Sequence, residues 1–290
     1  MPVSDRTPIK PKTIAELQGY LRDSKADVDL FRLRGPFAVD MQKNRELRIS
    51  PTERINTDLF LAAPAEKAPL VIFLHGYDSS KEAHEFQALH LASWGIHSLT
   101  LQLSKKGPWV ANGRTLARIV SYIHRLPAVI DPRVDPNRII LVGHSFGGSS
   151  AAIALAEGAP AAGGILLDPA GIGKELPNFL QKITRPVMVL GADEDVGSTR
   201  NREYFYRYVR SGIAEVSIKD AAHEDAQYPS EFSLQNLGID PNTTEELQVT
   251  FVSALTSAAL SLSSTGTFDY AWKSFGAVFE NGKFFNARRK

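Results

Sequence analysis

The segment Gly143-His-Ser-Phe-Gly147 sets a serine between glycines at minus two and plus two. An apolar run, Arg138-Ile-Ile-Leu-Val142, precedes it, and an alanine-rich stretch of helical character, Ser149 to Glu157, follows. A strand that reverses at once into a helix can do so only through a very tight turn. Glycines on either side of Ser145 remove the side chains that would collide there. The following helix then aims its free amides and partial positive charge at any anion forming beside Ser145. The Gly-x-Gly-x-x-Gly and Gly-Lys-Ser/Thr spacings of nucleotide-binding turns are absent. The chemistry this pattern suits is nucleophilic attack by Ser145, which needs a base and an acid to orient it.

Acids stand after two further apolar runs. Asp168 follows Gly164-Ile-Leu-Leu167, and Asp193, Glu194 and Asp195 follow Pro186-Val-Met-Val-Leu190. Of the seven histidines, His223 is the one that comes after every one of these acids, just beyond the extended run Ala214–Ile218. Its imidazole can accept a serine proton near neutral pH and return it to a leaving group. His84, His90, His97 and His124 are scattered without a His-Glu-x-x-His spacing, so no zinc site is expected. Glu82-Ala-His84-Glu85 reads as the solvated face of a helix.

These side chains must be positioned by the elements around them. From residue 31 the pattern gives short extended runs at Phe37–Val39, Glu46–Ile49 and Asp58–Ala62, read as antiparallel strands. A continuous apolar strand follows at Pro69–Leu74, an extended run at Ile96–Leu103, and further strands at Arg138–Val142, Gly164–Leu167, Pro186–Leu190 and Ala214–Ile218. Helical stretches at Glu82–Trp94, Thr115–Leu126, Ser149–Glu157 and Arg200–Arg210 alternate with them. Strand alternating with helix predicts an α/β fold, a mostly parallel central sheet with helices on both faces. One domain is expected over 1–290: an N-terminal arm to residue 30, a core over 31–229 and a C-terminal helical segment over 230–290.

On these residues the chain resembles the α/β-hydrolase superfamily. It is similar to serine esterases of the lidless branch that holds dienelactone-hydrolase-like, cutinase-like and chlorophyllase-like enzymes. The similarity runs from about Gly35 to Gln227, and the chain order serine, acid, histidine is the order that fold uses. The resemblance implies that backbone amides of Tyr77, in His75-Gly76-Tyr77, and of Phe146 form an oxyanion hole. It also implies that the acid of Leu190-Gly-Ala-Asp-Glu-Asp-Val-Gly197 is Asp195, with Asp193, Glu194 and Asp168 as rivals. Only 17 residues separate Asp168 from Pro186, too few for a helical lid, so no large cap domain is expected. The tryptophan that polyester-degrading cutinase-like enzymes carry in this region is missing from Asp168-Pro-Ala-Gly-Ile-Gly. The implied activity is hydrolysis of carboxylic esters through an acyl-enzyme, without a cofactor. A lactone, thioester or peptide bond, or a non-catalytic binding role, are the alternatives.

Composition narrows the partners. The 290 residues carry 33 Lys plus Arg against 32 Asp plus Glu, with no basic cluster beyond a short C-terminal tail, so nucleic acid is not expected as a partner. With no cysteine, disulfides, thiolate metal sites and a cysteine nucleophile are excluded. Neither Ala68–Leu74 nor Ile165–Leu167 approaches the ~20 apolar residues of a membrane span. The first residues contain no apolar leader core, so the expected location is cytoplasmic, or extracellular if a leader has been removed. The expected partner is a small or lipid-like ester.

Overall fold

The computed structural model describes residues 7–23, 27–63, 66–103, 109–171, 173–193, 201–229 and 245–290. The strands are β1 (Val39–Arg48), β2 (Arg54–Ala62), β3 (Ala68–Leu74), β4 (His97–Gln102), β5 (Val134–His144), β6 (Gly163–Leu167), β7 (Val187–Gly191), β8 (Ile213–Ile218) and β9 (Phe284–Arg289). Among the described residues they join into one sheet, ordered β1-β2-β4-β3-β5-β6-β7-β8-β9. Pairing is parallel from β4 through β8 and antiparallel at β1/β2, β2/β4 and β8/β9.

Two layers of helix cover this sheet. On one face lie α1 (Ile14–Asp23), α2 (Glu85–Ser93), α7 (Glu245–Thr265) and α8 (Asp269–Glu280). On the other lie α3 (Trp109–Arg125), α4 (Phe146–Ala156), α5 (Leu176–Leu180) and α6 (Asn201–Tyr208). The pleat of β3 shows why its sequence is apolar throughout. Val71 and Phe73 enter the first core, and Leu70, Ile72 and Leu74 the second. Each such side chain contributes about 1.5–3 kcal/mol by leaving water.

The arm assigned to the N-terminus is folded onto the body. Ile14, Leu17 and Leu21 are buried on one stripe of α1, as their spacing predicts, and Phe31 meets Trp94 edge-on at 5.0 Å. The extended runs at 37–39 and 46–49 overlap the two ends of one strand, β1, which has a register shift between Gln42 and Arg45. The C-terminal segment is not wholly helical. After α7 and α8 the chain returns as β9 and pairs with β8, an edge strand whose Asn-Ala-Arg-Arg composition carries no strand signal. By length and composition α7 could cross a bilayer, yet 89% of its apolar window is buried in the fold, which makes it a core helix.

This topology creates one obvious crevice. Strand β3 is flanked by β4 on one side and β5 on the other, so the crossovers from its end and from β5 run in opposite directions. The carboxyl ends of β3 and β5 therefore frame a gap not filled by a connection, where α/β sheets place their ligands.

Candidate active site

Four loops converge at that edge. Strand β3 ends in His75-Gly76-Tyr77, β5 in Ser145, β6 in Asp168, and β8 leads through Asp220 to His223. Register sets Leu74 beside Gly143, His144 beside Leu167, Leu167 beside Leu190 and Leu190 beside Val216, so all four exits lie at the same edge.

Ser145 has φ 53° and ψ −120°, a conformation an L-residue adopts only under constraint. The constraint is visible. Its N–H donates to Leu167 O at 3.1 Å, and its own carbonyl accepts from Gly148 N and Ala170 N, each at 3.0 Å. A Cβ at Gly143 would lie 2.2 Å from Gly147 O, and one at Gly147 would lie 2.2 Å from Leu74 O. Both glycines are thus required sterically, as the sequence pattern suggests. Helix α4 starts immediately after Ser145, three residues earlier than its alanine-rich stretch indicates.

The histidine and its acid are in direct contact. His223 Nδ1–H donates to Asp168 Oδ2 at 2.5 Å, and both side chains are almost wholly buried. Asp168 Oδ1 accepts from Ala192 N at 3.0 Å and faces Arg202 Nε at 3.4 Å. Asp168, like Ser145, has positive φ, at 37°. The resemblance favoured Asp195 for this place. Among the described residues, the carboxylate that accepts the His223 Nδ1–H hydrogen bond is Asp168, one strand earlier. Asp195 and Glu194 lie outside the described residues, and Asp193 accepts the Asp220 amide at 2.6 Å and so ties down the loop leading to His223. The sequence signal for Asp168 is its place at the end of an apolar strand, and that for Asp195 is the resemblance alone.

Tyr77 and Phe146 face one another with ring centroids 5.5 Å apart, and Phe146 continues to Trp109 at 5.4 Å. Tyr77 is 41% exposed. Neither residue's amide donates a backbone hydrogen bond among the described residues. A Cβ on Gly76 would come 3.2 Å from Ser145 Cβ, so the loop after β3 passes directly over the serine. His75 anchors that loop through Gly76 O at 2.8 Å and the Gln102 amide at 3.0 Å. Gln102 Oε1 in turn takes the Lys81 N–H, and the buried Lys81 ammonium pairs with Asp58 at 2.8 Å.

Behind His223 lies a layer of buried polar groups. His144 Nε2 donates to His223 O at 3.1 Å, and the two rings are 4.3 Å apart. Burial, followed by the neighbouring His223 and His84, holds His144 well below the ordinary histidine range, so it is neutral. His84, expected on a solvated helix face, is fully buried. It stacks on Phe73 at 5.2 Å and bonds Gln87 Oε1 at 2.6 Å, and burial brings its pKa down to about 4.

Glu224, next to His223, is buried and bonded to the Gln227 amide. Desolvation pushes its pKa up to about 7, against the opposing pull of His223 and Gln227. The folded chain therefore binds a proton there that the unfolded chain, with an ordinary value of 4.5, has released. Stability from this group is fully present below about pH 4.5 and is lost as pH rises through about 7. The shift corresponds to about 3 kcal/mol. Glu224→Gln should flatten this part of the pH–stability curve, measured by urea unfolding at steps between pH 5 and 8. A fall of unchanged size in the variant would place its origin elsewhere.

A family model described as "Alpha/beta hydrolase family" matches residues 71–275. The chain belongs to the alpha/beta hydrolase family. The match starts within β3 and ends in α8, so it includes every loop of the crevice. No curated protein shows a significant match to the chain. As an alpha/beta hydrolase the protein carries the fold expected from its sequence, and the family match supports a hydrolase in general.

Proposed function

We propose that this alpha/beta hydrolase cleaves carboxylic esters through an acyl-enzyme, with Ser145 as nucleophile, His223 as base and acid, and Asp168 as the orienting carboxylate. The observation that carries the reading is the buried His223–Asp168 contact at the strand edge where the serine turn emerges. Asp168 accepts a hydrogen bond from Nδ1–H and so keeps the proton on that nitrogen, which leaves Nε2 as the basic nitrogen. That nitrogen removes the Ser145 proton as Oγ attacks the ester carbonyl. The Tyr77 and Phe146 amides hold the resulting oxyanion, and each such donor contributes about 2.7–4 kcal/mol to the transition state. The imidazolium then protonates the departing alkoxide. Water, activated by the same nitrogen, releases the acid and restores the serine.

The aromatic row Tyr77, Phe146 and Trp109 supports an apolar group on the ester, because it flanks the nucleophile with weakly hydrated ring faces. The test is a p-nitrophenyl ester series from acetate to palmitate, run beside lactones and aminopeptide substrates. The expected result is broad turnover with an optimum at short to medium acyl chains, and little turnover of peptides. Absence of turnover on every ester, with a lactone or peptide accepted, would overturn the ester assignment and leave the acyl-enzyme chemistry.

A further inference from the structure

Arg202 is a buried cation whose place the proposed chemistry does not explain. It sits in the first turn of α6, with its side chain 7% exposed. Its guanidinium reaches Asp168 Oδ1 from Nε at 3.4 Å, Ser217 Oγ from Nη1 and Asp193 O from Nη2. Room for it exists because residue 191, at the end of β7, is glycine. A Cβ there would lie 2.0 Å from Arg202 Nη1 and 2.4 Å from its Cδ. The ends of β6, β7 and β8 are thus shaped around one arginine.

The two oxygens of Asp168 are used differently. Oδ2 receives His223, whereas Oδ1 is held by the Ala192 amide and the guanidinium. A buried carboxylate without donors or a counter-charge is costly, and one held through a single oxygen can rotate away from its imidazole. Arg202 supplies the charge on the side remote from His223, and Ala192 N fixes the carboxylate plane. An arginine suits this role because its planar fork can serve three acceptors at once and stays charged at any working pH.

We infer that Arg202 is a positioning residue: it fixes Asp168 from behind so that the second carboxylate oxygen stays aimed at His223. The inference rests on the proposed ester chemistry and deepens it, since it accounts for how an acid at the end of β6 is held in place. Arg202 touches no reacting atom in this scheme and acts only through Asp168.

A double-mutant cycle on p-nitrophenyl butyrate hydrolysis tests it. Arg202→Gln should lower kcat about 10- to 100-fold and leave KM within about threefold. Arg202→Lys, which keeps the charge but loses the fork, should recover part of that loss. In an Asp168→Ala background both Arg202 substitutions should change kcat by less than about threefold, because the group they act through is already gone. Losses of equal size in both backgrounds would show a general structural role and overturn the inference. So would full activity in a folded Arg202→Gln protein. Should the glutamine variant fail to fold, the lysine variant in the two backgrounds gives the same decision. Wild type and Ser145→Ala are run alongside. Ester turnover that survives Ser145→Ala overturns the catalytic reading itself, whereas Ser145-dependent turnover with additive Arg202 effects overturns the positioning role alone.

Discussion

Replacing Asp168 with asparagine should lower kcat by about 10⁴-fold while leaving the fold intact, by analogy with loss of the acid in other serine triads. The size follows from the hydrogen bonds around the side chain. At the position of Oδ1, the Ala192 amide requires an acceptor and the Arg202 guanidinium, 3.4 Å away, favours an oxygen over an NH₂ group. The asparagine oxygen must therefore stay there, and its NH₂ group turns to His223. Nδ1 can then only accept, the ring proton moves to Nε2, and the nitrogen that the proposed chemistry uses as base has no lone pair with which to take the serine proton. Asp195→Asn, made in parallel, should stay within about threefold of wild type, since removing a carboxylate that does not orient the base leaves transition-state stabilisation in place. Steady-state kinetics on one ester separates the two. A large loss at Asp195 with little at Asp168 would reverse the assignment.

Ser145→Ala should abolish the covalent route, a loss of about 10⁴-fold or more in kcat. Members of such a unit fail together, so adding Asp168→Asn to Ser145→Ala should cost little further. Alanine accepts the same backbone bonds as serine, and the glycines at 143 and 147 still clear the turn, so melting temperature should change little. A residual rate that matches wild type would show that ester turnover, if present, takes place elsewhere on the protein.

Much of this architecture is legible in the sequence because the physical demands are local. A parallel strand covered on both faces is apolar where it is covered, and Pro69–Leu74 and Ile139–Val142 are. The serine turn is legible for the same reason: no Cβ fits at residue 143 or 147. Where pairing rather than composition makes the element, the signal fades. Nothing in Phe284–Arg289 marks it as a strand, and it exists because β8 offers an unpaired edge. Likewise, His84 looks like part of a charged helical face, yet Phe73 and Gln87 enclose it.

The acid was the harder case. Asp168 and Asp195 both follow strands that end at the same edge, and periodicity cannot say which carboxylate an imidazole 55 or 28 residues later will meet. What holds Asp168 at His223 is a set of long-range contacts: the Ala192 amide, the Arg202 guanidinium and the backbone bond from Asp168 N to Leu190 O at 2.8 Å. Arg202 has no motif of its own and becomes visible only once Gly191 is seen to make space for it.

The most direct measurement is covalent labelling with a fluorophosphonate, followed by peptide mapping of the adduct. One phosphonyl group on Ser145 of the wild-type chain, none on Ser145→Ala and slowed labelling of Asp168→Asn are the predicted results. An unlabelled wild type, or an adduct that persists when Ser145 is replaced, would contradict the assignment of this serine as the nucleophile.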